Sequence, residues 1–301
     1  MGRGSTAEVR IALRRRSVAC WTIVHFRLAG PRPLLRSRRL LAPDCSGEFV
    51  IDARALSFAT PLELTAMTAL AHSHAAEGER MRLLLPDEPA VTSYLERMDL
   101  LNRLPDQCKS NRRVPARGRA DRSHSLLEIT PVRSPHDGEL AGERVFGIVR
   151  GNLGDRLGKL AFKVVGELID NAVSHGRSET GSFVAAQVYP RQRRLEFAVC
   201  DTGVGVLEHL KGNPLHRDLE RDQEALFRAL QPGVTGERED RGNGLPDLLD
   251  MAGGAGLTRL LIRSGDGSLD AFRGVPGPTT RIGSVPDPVK GTWAWLRVRF
   301  P

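Results

Sequence analysis

Glu167 and Asn171 stand four residues apart in the stretch Val164-Val165-Gly166-Glu167-Leu168-Ile169-Asp170-Asn171-Ala172-Val173-Ser174-His175-Gly176. Residues at that spacing on a helix lie one turn apart on the same face. A carboxylate there can take a proton from an attacking hydroxyl or water, and an amide oxygen is a hard, neutral ligand suited to a magnesium ion that also grips phosphate oxygens. The pair reads as a general base beside a metal ligand, the alternative being an exposed Glu/Asn pair on a surface helix. The helix is predicted by Val164, Val165, Leu168, Ile169, Ala172 and Val173, which recur at three- and four-residue spacing, with Gly176 where it would stop.

Three further stretches carry chemistry. Residues 195–200 read as a strand that runs into Asp201-Thr202-Gly203-Val204-Gly205, where two glycines permit a tight turn and close approach to a ligand. An acid leaving a strand end there can accept a hydrogen bond from the amine of a base. Arg241-Gly242-Asn243-Gly244-Leu245 opens an apolar stretch, residues 245–251, that suits a helix whose first amides face phosphate. Gly291-Thr292 precedes residues 293–300, an expected closing strand.

In that order and spacing, Glu167-x-x-x-Asn171, Asp201-x-Gly203-x-Gly205, Gly242-x-Gly244 and Gly291-Thr292 resemble the GHKL ATPase superfamily of gyrase B subunits, heat-shock chaperones, mismatch-repair ATPases, histidine kinases and anti-sigma-factor kinases. The resemblance covers about half the chain. It implies that Glu167 is the general base, that Asn171 binds magnesium (Mg2+), and that Asp201 holds the adenine amino group of ATP. It further implies that Gly203 and Gly205 shape the floor of the site, that Gly242 and Gly244 bring backbone amides to the phosphates, and that Thr292 supports the adenine through its hydroxyl. Asn171 to Gly176 look most like the anti-sigma serine kinase branch, whose corresponding helix also tends to end in His-Gly. Pro246 departs from the family, which continues there into an uninterrupted helix; proline is tolerated in a first turn, so the helix is expected to survive.

These residues need elements to hold them. Residues 126–129 read as a strand, 138–150 as a helix, and 182–189 and 195–200 as an antiparallel pair around Pro190-Arg191-Gln192-Arg193. Residues 206–240 are polar, hold a short amphipathic element at 224–230, and correspond in the family to the lid that closes on ATP. Residues 258–263, 268–272 and 293–299 complete the expected sheet. The fold class is α/β, and the resemblance implies a C-terminal GHKL α/β sandwich over residues 126–301, a mixed sheet with helices on one face.

Upstream, residues 49–51 read as a buried strand, 61–74 as a helix, 81–85 as a second strand and 88–98 as a second helix. Such a segment forms a parallel β-α-β-α unit. Residues 47–104, with the run Asp52, Leu56 and Phe58 leading into the helix, resemble the STAS fold of anti-sigma-factor antagonists. Where that family carries its phosphorylatable serine, this chain has Phe58-Ala59-Thr60-Pro61-Leu62, and Thr60 is expected to be the helix N-cap with Pro61 in the first turn. His72 and His74 are expected to be exposed or to face the helix dipole rather than to ligate metal. Residues 105–125, rich in Arg with Pro115 and Gly118, read as a linker without fixed structure.

Composition sets the outer limits. A chain of 301 residues is long enough for two domains. Its formal charge is +8, and residues 1–46 carry that whole excess, with ten arginines against Glu8 and Asp44. This leader is expected to be a disordered tail or the product of an upstream start codon, the other reading being a flexible arm for nucleic acid or acidic lipid. The remainder is neutral, which argues against nucleic acid as a partner. The apolar run at 18–24 is too short to span a bilayer, and Cys20, Cys45, Cys108 and Cys200 show no metal-type pairing, as expected of reduced thiols in a cytoplasm. The expected function is an ATP-binding regulator of the anti-sigma-factor kinase type, an ATPase or a protein serine/threonine kinase. Its partner would be a sigma factor or a STAS-type antagonist, and a homodimer is compatible. The alternative is a nucleotide-controlled interaction module without protein kinase activity. A histidine kinase is disfavoured, because no upstream helix pair carries a phosphoacceptor histidine.

Overall fold

Alternating apolar residues build two five-stranded sheets in this mixed α/β chain, one in each of two units, Met1–Ala120 and Asp121–Pro301. The computed structural model describes residues 9–13, 22–26, 49–112, 122–175, 178–234, 245–246, 248, 256–273 and 277–301.

In the first unit, β1 (Val9–Leu13), β2 (Thr22–Phe26), β3 (Phe49–Asp52), β4 (Met81–Leu84) and β5 (Cys108–Ser110) lie in the order β2-β1-β3-β4-β5. β3, β4 and β5 pair in parallel, and β1 pairs antiparallel with both β2 and β3. α1 (Pro61–Ala76) connects β3 to β4, and α2 (Pro89–Arg97) and α3 (Leu100–Arg103) connect β4 to β5. The expected β-α-β-α segment is therefore present, within a mixed sheet.

Two expectations about this half are corrected. The described residues of the leader are not without structure: β1 and β2 pair antiparallel on the edge of β3, and the rest of residues 1–46 lies outside the described residues. The β-branched and apolar runs Val9-Arg10-Ile11-Ala12-Leu13 and Thr22-Ile23-Val24-His25-Phe26 suit a pleated edge, and the surrounding arginines hid them. The proposed linker likewise begins with a strand, β5, after which the Arg112 guanidinium donates to the carbonyl of Pro86 and to Thr92 Oγ1. Residues 113–121 lie outside the described residues.

Thr60 caps α1 as its type requires. Its hydroxyl accepts from Leu62 N at 3.3 Å and donates to the Glu63 carboxylate, which also accepts Thr60 N at 2.6 Å. Both partners are buried, so this capping box is shielded from water. α1 has no polar face, and the hydroxyls of Thr65 and Thr68 donate to the carbonyls of Pro61 and Leu64 within the helix, both at 2.9 Å. His74 is not exposed: its ring is buried and stacks on Phe49 with centroids 3.7 Å apart, and Nδ1 meets Glu79 at 2.7 Å. It does stand in the last turn, where the dipole favours a cation. His72 Nε2 meets the carbonyl of Arg103 at 2.8 Å.

In the second unit, β6 (Leu126–Val132), β7 (Ser182–Tyr189), β8 (Arg194–Asp201), β9 (Leu257–Arg273) and β10 (Thr279–Arg299) lie in the order β6-β7-β8-β10-β9. Every described pairing is antiparallel, which corrects the expectation of a mixed sheet here. The segments expected at 258–263 and 268–272 are one continuous strand, β9. α4 (Pro135–Leu153) starts at a second capping box, Ser134 with Asp137, and Gly154 separates it from α5 (Asp155–Asp170). α6 (Gly205–Lys211) and α7 (Asp222–Ala229) follow β8.

One core joins the helices to alternate strand residues: Val145, Val149, Val165, Leu168 and Leu226 pack with Val184, Ala186, Phe197, Val199, Leu260, Ala294 and Leu296. The intervening residues Phe183, Ala185, Ala198, Cys200, Trp293 and Trp295 are buried as well, so both faces of these strands are apolar. Cys108 and Cys200 are buried and in no disulfide among the described residues, whereas Cys20 and Cys45 lie outside the described residues. No described helix is long and apolar enough to cross a membrane.

Thr60→Ala should lower the stability of the first unit by about 1–2 kcal/mol, through loss of the cap and of a buried partner for Glu63. Thr60→Ser should retain most of it. Denaturant unfolding followed on this unit tests the assignment, which fails if the Thr60→Ala variant and the wild type unfold at the same midpoint.

Candidate functional site

Asp201 ends β8, and its carboxylate is buried. One oxygen, Oδ1, accepts two backbone donors, Gly203 N at 2.8 Å and Thr292 N at 3.2 Å. Among the described residues the other oxygen, Oδ2, accepts none. Burial lifts the Asp201 carboxyl from its ordinary value of 3.8 to about 7, and the hydrogen bonds from Gly203 and then Thr292 oppose that rise. An acceptor held this way is aimed through Oδ1 and leaves Oδ2 without a protein donor among the described residues.

Glycine is required where the loop and β10 close on this acid. Gly291 has φ +77°, and a Cβ there would lie 2.5 Å from Asp201 Oδ1. Gly205 has φ +78°, and its Cβ would lie 2.8 Å from Ser264 Oγ. Ser264, fully buried on β9, accepts Val206 N at 2.8 Å and is the register partner of Thr292. The loop from Asp201 to Val206 is thereby fastened at both ends, to β10 through Asp201 and to β9 through Ser264. Thr292 acts on Asp201 through its backbone N–H, and among the described residues its hydroxyl makes no hydrogen bond.

The helix end lies beside this loop. Glu167 is in the last turn of α5, and both Glu167 and Asn171 are half-buried. The Asn171 N–H reaches the carbonyls of Glu167 and Leu168, which sets the two side chains one turn apart as their spacing predicts. At Asn171 the helix does not simply continue: residues Asn171–His175 widen into a π-turn, a geometry that recurs at functional sites. Ser182 Oγ donates to Ala172 O at 3.4 Å, and Ser182 is paired with Asp201 across β7 and β8. The fold thus brings the Glu167 and Asn171 end of α5 to the Asp201 end of the sheet.

Gly203 is half-buried in the loop and Gly205 is the first residue of α6. Gly242 and Gly244 lie outside the described residues. Just after them Leu245, Pro246 and Leu248 are helical, so Pro246 is accommodated in that helix, and Leu248 is fully buried in the core. Residues 206–234 of the expected lid contain α6, a 3-10 turn at Pro214–His216 and α7, with a small core of Leu210, Leu219 and Ala225.

Ser264 escaped the sequence reading because it falls between the two short strands expected there. Thr180, Ser178 and Thr202 also escaped it: Thr202 Oγ1 lies 2.9 Å from Ser178 Oγ and 2.7 Å from Thr180 Oγ1. Their signal was the alternation Ser178-x-Thr180-x-Ser182. The chain matches no protein-family model, and a search of curated proteins returns no match.

Asp201 makes folding pH-dependent with a definite sign. A carboxyl raised to about 7 in the folded state contributes fully below the unfolded value and loses that contribution as pH rises through the folded one. Asp201→Asn keeps an oxygen for both backbone donors and removes the charge. Its melting temperature should gain on the wild type as pH rises from about 4 to about 7, then hold that lead. A wild-type advantage growing over the same interval would mean the ionised carboxylate is favoured by the fold.

Proposed function

We propose that the second unit is a GHKL-type Mg2+-ATP-binding domain, joined to a STAS-like first unit, and that the chain is an ATP-dependent regulator of the anti-sigma-factor kinase type. The observation that carries this reading is Asp201, buried, with Oδ1 committed to two backbone donors and Oδ2 left for a ligand. The exocyclic amine of adenine supplies the matching donor, and the bare glycines at 205 and 291 let the loop and β10 close around the acid that would receive it.

The helix end supplies the rest. Magnesium prefers few protein ligands and completes its shell with water and phosphate oxygens, so one half-buried amide oxygen at Asn171 fits it. Bound there, the ion would neutralise phosphate charge. Glu167, one turn back, is placed to take the proton of an attacking hydroxyl. The hydroxyl of a partner protein would then gain the γ-phosphoryl group and ADP would leave.

Thr60 bears on the identity of that acceptor. Its hydroxyl is buried inside a capping box, and so is not offered to a kinase. This removes Thr60 as the acceptor within the chain; the second reading is a switch in which ATP binding or slow hydrolysis is itself the output and no protein is phosphorylated.

Incubation with γ-labelled ATP, with free phosphate and labelled protein assayed separately, distinguishes these readings. Glu167→Ala should keep ATP affinity within a few fold and lower turnover by about 10²–10⁴. Asn171→Ala should abolish the difference in ATP affinity between magnesium and chelator. ATP affinity should rise with pH as the Asp201 carboxyl ionises near 7, because the charged form is the better acceptor for the amine. Calorimetry showing no ATP binding at any of these pH values would end the proposal.

A further inference from the structure

The proposed site has two ends on different elements: Asp201 closes a strand, whereas Asn171 opens a π-turn at the end of a helix. The chain returns from that π-turn to the sheet through a turn at residues 178–181, closed by Gly181 N donating to Ser178 O at 3.2 Å. Gly181 has φ +80°, and a Cβ there would lie 2.8 Å from Arg133 Cγ and 3.0 Å from the carbonyl of Val132, so the path of this turn is tightly prescribed.

Three hydroxyls follow that path and a fourth meets it from the loop after β8. Ser178 and Thr180 alternate with Ser182, the first residue of β7, and Thr202 follows Asp201. Thr202 Oγ1 stands 2.7 Å from Thr180 Oγ1 and 2.9 Å from Ser178 Oγ, which are 3.3 Å from each other. Three hydroxyls with three mutual contacts can each donate once and accept once around a ring. Thr202 makes the two short contacts and is buried. Ser182, also buried and joined to Thr180 through the backbone of Gly181, donates to the Ala172 carbonyl inside the π-turn at 3.4 Å.

We propose that Thr202, acting through Thr180, Ser178 and Ser182, is a positioning residue that holds the Asn171 π-turn in register with Asp201. The row touches both ends: Thr202 is bonded in sequence to Asp201, and Ser182 reaches the residue after Asn171. Hydroxyls that served packing alone would leave the π-turn indifferent to Thr202, whose hydroxyl makes its hydrogen bonds among the described residues to Ser178 and Thr180 and not to the π-turn. The assignment of Asp201 and Asn171 to one nucleotide site rests on the function proposed above, but the mechanical link between them does not.

Thr202→Val keeps the shape of the side chain and removes the hydroxyl. In the nucleotide-free full chain, amides at 172–175 should exchange up to about tenfold faster, as loss of a single hydrogen bond in a local opening allows, while those at 195–200 stay as in the wild type. Thr202→Ser should restore wild-type exchange. Mg2+-ATP affinity should fall by a similar factor, whereas adenosine, which lacks phosphates, should bind unchanged. Exchange at 172–175 identical to wild type overturns the link, and so does equal acceleration at 195–200, which would mark general destabilisation. Should the Thr202→Val chain not fold, Thr180→Val leaves the Asp201 loop intact and is read the same way. A wild type that binds neither ATP nor adenosine removes the nucleotide reading, and the exchange data still decide whether the row couples the two ends.

Discussion

Burial of the Asp201 carboxylate is the constraint on which the rest of the second unit depends. A carboxylate taken out of water must be compensated by donors or lose its charge. The compensation comes from two backbone N–H groups, and each dictates local sequence. Gly203 donates from a turn tight enough to fold back on the preceding strand end. Thr292 donates from β10 at the point where Gly291 must be bare, because any side chain there would collide with the same carboxylate. Ser264 then fixes the far end of the loop through Val206 N. The order β8-β10-β9 is what allows one acid to be served by its own loop and by a strand 91 residues away.

The local parts of this arrangement were legible in the sequence. Glu167 and Asn171 needed only helical periodicity, and Asp201 with its two glycines needed only a strand followed by a turn. Thr292 was legible as a position and not as a role, since a backbone donor leaves no trace in side-chain type. Ser264 was illegible because a serine inside a long strand resembles a break. The hydroxyls at 178, 180 and 202 were illegible for a related reason: each is ordinary alone, and they meet through a pairing register that sequence does not display.

At the level of fold the same division holds. The Thr60 cap read true, because it acts within three residues of its own backbone, whereas the Ser134 cap, which starts α4 at Pro135, was not read and that helix was expected to start at 138. Strand direction in the second unit did not, because antiparallel and parallel strands with both faces buried share one apolar pattern. The leader misled through composition. Ten arginines outweigh two five-residue, mainly apolar runs in any average over residues 1–46, yet an antiparallel strand pair needs only those runs and an edge to join.

The two ends of the site are held by unlike means, and this bears on how it could respond to a ligand. Asp201 is part of a ladder whose neighbours on both sides are paired strands, and its donors are backbone groups with little freedom. Asn171 stands in a π-turn, whose link to the sheet includes side-chain hydroxyls, the longest contact being 3.4 Å. Hydroxyl contacts of that length can lengthen or re-form at small cost, whereas a buried carboxylate cannot give up a donor without a large one. On the proposed assignment, the neutral base would therefore meet the rigid end of the site. On the same assignment, phosphates, which bring the charge, would meet the end that can adjust, and a helix terminus that shifts on meeting that charge would pass the change along α5 to the core it shares with α4 and the sheet.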